Sequence, residues 1–196
     1  MDELIEVCEA DAFHVGMDEV FYLADSKCPR CRGRDKAELY AEEVTRLYDH
    51  LNENNIEMWM WGDRFLDGKT TGLGMWEASM NVTSRAIDLV PKDIMICDWH
   101  YRLAPPTPGY FALKGFNVLA CPYTDAEVAL AQLEHIMQVK ENSNRVISSK
   151  LKGVFQTSWG NAGDFIRAYY GEEVDKKNIE CAECFKKLFK AVRGEI

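Results

Sequence analysis

The chain has 196 residues, 47% of them hydrophobic and 28% charged, an ordinary globular balance with enough apolar material for a sizeable core. Its formal net charge of −9 argues against a nucleic-acid partner, because phosphate binding needs Lys and Arg concentrated on one face. No apolar run approaches the length of a membrane span, and the acidic, helix-like first residues do not read as a signal peptide, which leaves the location open.

Taken in chain order, short apolar runs alternate with amphipathic stretches. The first run, residues 12–16 (AFHVG), is strand-length and is followed by Asp18-Glu19. Residues 35–54 carry Leu39, Val44, Leu47, Tyr48 and Leu51 at helical spacing. The second run, 57–61 (EMWMW), leads into Trp61-Gly62-Asp63, and Trp59 is read as facing outward beneath a helix. Less regular connections at 81–89 and 107–114 flank a third run, 94–98 (IMICD), which leads into Asp98-Trp99-His100-Tyr101. A fourth run, 117–121 (NVLAC), precedes Tyr123 and Asp125. A capped helix over 125–141 follows, with Val128, Leu130, Leu133, Ile136 and Met137 as its apolar positions. The fifth run, 153–156 (GVFQ), precedes Trp159, and helices over 162–170 and 178–192 complete the chain.

This β-α alternation predicts an α/β fold with about five parallel strands, most of them buried on both faces. Both an open doubly wound sheet and part of a (β/α)8 TIM barrel satisfy it. The absence of a G-x-G-x-x-G or Walker-type loop after any strand weighs against a nucleotide fold. With no repeat, low-complexity segment or Pro/Gly linker, residues 1–196 read as a single domain. In parallel α/β architectures the site forms where strands end, so the carboxylates and aromatics following the five runs are expected on one face. Carboxylates ringed by Trp and Tyr suit a sugar, whose apolar face packs on rings while its hydroxyls need acceptors.

The segment FHVGMDEV, residues 13–20, resembles the H-x-G-x-D-E signature of glycoside hydrolase family 20, the β-N-acetylhexosaminidases. The later segments are similar in the same order: Trp61, Trp99, Tyr123-x-Asp125 and Trp159. The resemblance covers residues from about 10 to about 170 and implies strands four to eight of the barrel. It also implies a substrate-assisted retaining hydrolysis of terminal N-acetylhexosamine, in which the sugar's own 2-acetamido oxygen is the nucleophile. Under it Glu19 is the general acid, Asp18 holds the acetamido N–H and Tyr123 donates to the acetamido oxygen. Asp125 accepts from a hydroxyl, Trp61, Trp99 and Trp159 wall the pocket, and His14 supports the carboxylates from behind. No cofactor or metal is called for.

The chain departs from the pattern in three places. Met17 stands where the family usually has a second glycine, and Asn161 stands where it often has a glutamate that binds hydroxyls. Strands one to three, with an arginine usually supplied by the first of them, have no counterpart. The resemblance thus implies a fragment of a longer catalytic domain, with an N-terminal half-barrel or a second copy of the chain as the partner. The alternatives are a catalytically silent carbohydrate-binding relative and a zinc-binding module built on Cys28-x-x-Cys31 and Cys181-x-x-Cys184. The seven cysteines read first as free thiols. A redox role for Cys28-Pro29-Arg30-Cys31 is disfavoured because no thioredoxin-like strand precedes it, although a single disulfide within either pair stays open. Trp76 and Glu77 are read as rim or loop-pinning residues, and Asp63 as a sugar contact or a helix cap.

Overall fold

The five apolar runs pair in parallel. The computed structural model describes residues 1–195 and places β1 (Ala12–His14), β2 (Glu57–Trp61), β3 (Met95–Trp99), β4 (Asn117–Cys121) and β5 (Leu151–Val154) in one sheet. The strand order is β1-β2-β3-β4-β5. This sequential order distinguishes the two architectures left open by the sequence. A doubly wound sheet reverses direction at a switch point, whereas a (β/α)8 barrel adds each strand beside its predecessor. The register is regular from Ala12↔Glu57 to His14↔Trp59 and from Trp59↔Met95 to Trp61↔Cys97. It shifts between Val118 and Leu119, where β4 meets β5.

The chain divides into two compact units. The first holds Met1–Cys97 and Lys114–Asn117. It opens with α1 (Asp2–Cys8), and α2 (Lys36–Glu53) connects β1 to β2. Asp35 starts α2 by accepting from the N–H groups of Ala37 and Glu38 at 2.8 and 3.1 Å. The buried face of α2 is Ala37, Tyr40, Ala41, Val44, Leu47 and Leu51. Leu39 and Tyr48, expected in the apolar stripe, are half-buried, and Tyr40 takes the central place. Its ring meets Phe65 edge-on at 5.6 Å, and Phe65 stacks on Phe116 at 5.9 Å. Two short helices, α3 (Gly68–Thr71) and α4 (Gly74–Glu77), lie between 3-10 turns at Asp63–Phe65 and Thr83–Asp88.

In β2 the buried residues are Met58 and Met60, while Trp59 and Trp61 are half-buried. Side chains alternate along a strand, so Trp59 shares a face with Trp61 and not with the methionines. The expected placement of Trp59 on the opposite face is therefore corrected. The expectation that most strands are buried on both faces holds for β3 and β4, whose residues are buried at all but one position each. It fails for β1 and β5, which have no more than one buried residue each.

The second unit holds Asp98–Leu113 and the residues from 118 onward. It contains α5 (Thr107–Leu113), α6 (Ala126–Asn142), α7 (Arg145–Lys150), α8 (Ala162–Tyr169) and α9 (Lys176–Val192). Asp125, Asn144, Asn161 and Asp175 each accept backbone N–H bonds at the start of a helix. A cluster of Ala129, Cys184 and Leu188 joins α6 to α9, flanked by Leu133, Val154 and Phe189. Phe165 and Tyr169 of α8 meet Phe185 of α9 edge-on at 5.7 and 6.0 Å. Among the described residues no helix is long and apolar enough to cross a membrane.

Candidate active site

Asp18 and Glu19 lie in an irregular turn just past β1. The backbone there is left-handed at Gly16 (φ 77°), Met17 (φ 68°) and Glu19 (φ 50°). A residue with a Cβ pays about 1–2 kcal/mol for that conformation, so two such residues in four positions need holding from outside. Met17 occupies the kind of backbone position that favours glycine, which accounts physically for the glycine the resemblance leads one to expect there. Four side chains hold the turn. The Gly16 N–H donates to His14 Nδ1 at 3.1 Å, and the Tyr40 hydroxyl donates to the Met17 carbonyl at 2.7 Å. The Glu19 N–H donates to Asp63 Oδ2 at 3.0 Å, and the Asn81 amide donates to the carbonyls of Val20 and Phe21 at 2.8 and 3.0 Å.

Beneath the turn is a buried ion pair. Arg64 Nε lies 2.6 Å from Asp63 Oδ2, and each side chain is only 1% exposed. Arg64 also donates to the carbonyls of Met75, Trp76 and Ala78 at 2.8–2.9 Å and lies over the Phe21 ring at 5.2 Å. Asp63 caps no helix and, at 2% exposed, is set beneath the surface that a sugar would touch: it links the guanidinium to the backbone of Glu19. Burial raises the Asp63 carboxyl above its ordinary value against the opposing pull of Arg64. The Glu19 carboxyl is likewise raised, first by burial and then by the neighbouring Asp18 and Asp63 anions, with Arg64 opposing. An acid held protonated above its usual range beside a second carboxylate is the arrangement general acid catalysis calls for.

His14 sits 4.5 Å from the Trp61 ring, centroid to centroid. Since Nδ1 accepts from Gly16, a neutral ring carries its proton on Nε2, an atom with no hydrogen-bond partner among the described residues. His14 thus supports the backbone of the turn and makes no hydrogen bond to either carboxylate among the described residues. Trp76 is 57% exposed and meets Phe21 edge-on at 5.1 Å.

The second unit collects the other aromatic residues around Tyr101, which the sequence places among the aromatics after the third strand without assigning it a role. Its ring lies 5.1 Å from Trp99 and 5.3 Å from Tyr123, and its hydroxyl accepts from Trp159 Nε1 at 2.6 Å. Burial pushes that hydroxyl up to about 12. Trp99, Tyr123 and Trp159 are thus brought together through Tyr101. Asp98 and His100 are buried and flank Trp99. Asp98 accepts from the Thr107 hydroxyl at 2.6 Å and lies 3.2 Å from His100 Nε2. The His100 carbonyl accepts from Gln132 at 2.8 Å. Both residues position the strand end on which Trp99 stands.

Asp125 and Asn161 act at helix starts. Asp125 is exposed and accepts from Glu127 and Val128 N–H, while Asn161 accepts from Gly163 and Asp164 N–H at 2.7 and 3.3 Å. Asn161→Ala is expected to cost about 1 kcal/mol, as for other lost N-caps, measured by urea unfolding. A loss under a few tenths of a kcal/mol would count against the cap as its role.

The two cysteine pairs differ in character. Cys181 and Cys184 are buried on α9, and Gln156 donates to the Cys181 carbonyl at 2.9 Å. Burial raises both thiols, Cys184 to about 12. These are core residues. Cys28 and Cys31 are half-buried in a loop of turns, with their Sγ atoms 2.8 Å apart. Among the described residues no group of three or more His, Cys, Asp or Glu is placed to hold a metal ion.

No protein-family model and no curated protein matches the chain. Among solved structures it is similar to Dispersin B, with a TM-score of 0.47 and 16% identity over 98% of this chain and 55% of that one. It is also similar to a β-N-acetylhexosaminidase from Bacteroides fragilis NCTC 9343, with a TM-score of 0.44 and 18% identity over 98% of this chain and 42% of that one. The chain thus spans about half the length of the structures to which it is similar.

Proposed function

We propose that the chain is the strand-four-to-eight part of a retaining glycoside hydrolase domain that removes terminal N-acetylhexosamine from β-linked glycosides. The reading rests above all on the state of Glu19. Its backbone is left-handed, its N–H is bound by buried Asp63, and its carboxyl is raised by burial and two neighbouring anions. Strain retained at a charged, half-buried turn over a buried ion pair is typical of functional sites.

In the first step Glu19 protonates the leaving glycosidic oxygen while the substrate's acetamido oxygen attacks the anomeric carbon. The aglycone departs as an alcohol and an oxazolinium-like intermediate remains. Asp18 accepts the acetamido N–H and balances the positive charge, and the Tyr123 hydroxyl donates to the acetamido oxygen. In the second step ionised Glu19 takes a proton from water, which opens the intermediate with net retention. Trp61, Trp99 and Trp159 supply apolar faces for the sugar ring and the acetamido methyl, and Asp125 supplies an acceptor for a hydroxyl. The partner is an N-terminal half-barrel or a second copy of the chain.

The test compares release of 4-nitrophenol from the β-N-acetylglucosaminide and from the β-glucoside, which lacks the acetamido group. The protein is assayed with the residues that precede this chain in its gene. Turnover confined to the acetamido substrate is expected. Equal turnover of both would remove the substrate-assisted mechanism, and none of either would remove the enzyme. In the last case a carbohydrate-binding relative becomes the better reading, favoured by Asn161, whose side chain caps α8 where the family pattern has a sugar-binding glutamate. Calorimetric binding of N-acetylglucosamine without turnover would establish it.

A further inference from the structure

The loop between the Asp18-Glu19 turn and α2 has a chemistry that glycoside hydrolysis does not use. It is built from hydrogen-bonded turns: Cys28 N–H to Asp25 O at 3.0 Å, Arg32 N–H to Cys28 O at 3.3 Å and Arg34 N–H to Cys31 O at 3.2 Å. This winding aims two donors at one sulfur. Cys28 Sγ accepts from the Cys31 backbone N–H at 3.3 Å and from the Cys31 thiol at 2.8 Å. Pro29 and Arg30, between the two cysteines, are exposed, and both thiols are free and only half-buried. The other cysteines lack this setting. Cys97, Cys121, Cys181 and Cys184 are buried, and Cys8 is exposed on α1.

We propose that Cys28 and Cys31 form a redox-active dithiol that exchanges with low-molecular-weight disulfides, Cys28 attacking and Cys31 resolving. Thiol exchange needs a stabilised thiolate, access and a second thiol within reach, and a turn meets these needs without a thioredoxin-like strand. The two hydrogen bonds from Cys31, with the Arg30 charge, hold the Cys28 thiol below its usual range, whereas donation to Cys28 raises Cys31. The charged groups of the loop are Asp25, Lys27, Arg30, Arg32, Arg34 and Asp35, of which Arg34 is paired with Glu42 on α2 and Asp35 with Arg85.

The chemistry balances with glutathione disulfide as the oxidant. The Cys28 thiolate attacks one glutathione sulfur, the S–S bond breaks, and one glutathione thiolate leaves. Cys31 then loses its proton to solvent and attacks Cys28 Sγ, expelling the second glutathione thiolate. Two protein thiols become one disulfide, and one glutathione disulfide becomes two glutathione molecules.

The full chain is incubated with glutathione disulfide, trapped with iodoacetamide and mapped by peptide mass spectrometry. The expected product is a Cys28–Cys31 disulfide that dithiothreitol reverses, with Cys8 carrying only the mixed glutathione disulfide. In Cys31→Ser, glutathione should accumulate on Cys28, and in the wild type iodoacetamide should label Cys28 faster than Cys8, about threefold or more at neutral pH. Recovery of both loop cysteines as free thiols after Cys8 has fully reacted would overturn the proposal. So would faster labelling of Cys31 than of Cys28 in the wild type, a measurement that needs no variant to fold.

Discussion

Replacing Glu19 with glutamine is expected to lower turnover of the N-acetylglucosaminide by about 10²–10⁴-fold, the usual contribution of a positioned general acid. Glutamine keeps the shape and the backbone bond to Asp63 but has no proton to give. The pH profile carries the second half of this prediction. Glu19 must enter the reaction protonated, and its carboxyl is raised above 4.5 by burial, Asp18 and Asp63. The rate should therefore fall as pH rises through a value above 4.5, and Glu19→Gln should lose that limb. Stability responds as well. A carboxyl raised in the fold contributes stability that is complete below its unfolded value and lost as pH rises through its folded value. Glu19→Gln should thus raise the melting temperature slightly at neutral pH. A variant as active as the wild type would end the assignment of Glu19 as the acid.

Arg64→Met is expected to destabilise the fold by about 3–5 kcal/mol, the usual result of removing one partner from a buried ion pair. Three carbonyls lose their donor, Phe21 loses the cation over its ring, and Asp63 is left buried without its counter-charge. The double variant Asp63→Asn/Arg64→Met should recover much of this loss, because no unpaired charge remains and asparagine still offers an oxygen to the Glu19 N–H. The single variant should suffer least in acid. The Asp63 carboxyl is already raised in the fold, so its ionised form is the costly one, and the cost grows as pH rises above the unfolded value of 3.8. Urea unfolding at two pH values measures both effects. A loss below about 1 kcal/mol for the single variant would mean that water or a neighbour replaces the guanidinium.

Most of the secondary structure was legible because local sequence controls it. Alternating and continuous apolar runs marked all five strands to within a few residues, and Asp35 and Asp125 marked helix starts with side chains that accept N–H bonds. Apart from Trp59, the departures from the sequence reading arise where partners are distant. Trp59 was placed on the wrong face, although a period of two by itself puts it beside Trp61. Arg64, the centre of the polar grouping, has no place in the sequence reading, and Tyr101, read only as one of the aromatics after the third strand, proves to be the centre of the aromatic one. Nothing local distinguishes a buried arginine from an exposed one, or a tyrosine that joins three aromatic residues from one on the surface. The position directly after Trp61-Gly62-Asp63, at a strand end, was the only signal that Arg64 offered.

By itself, then, the sequence determined the βα alternation, the starts of α2 and α6 and the placing of an Asp-Glu pair just beyond the first strand. These follow from backbone preference and apolar period, which act over a few residues. Only the tertiary structure decided that the strands run in sequential order and that a carboxylate 44 residues downstream binds the Glu19 backbone. Which side chains meet across such separations depends on how the segments pack together, and burial, which sets the protonation of Glu19 and Asp63, exists only once they have packed.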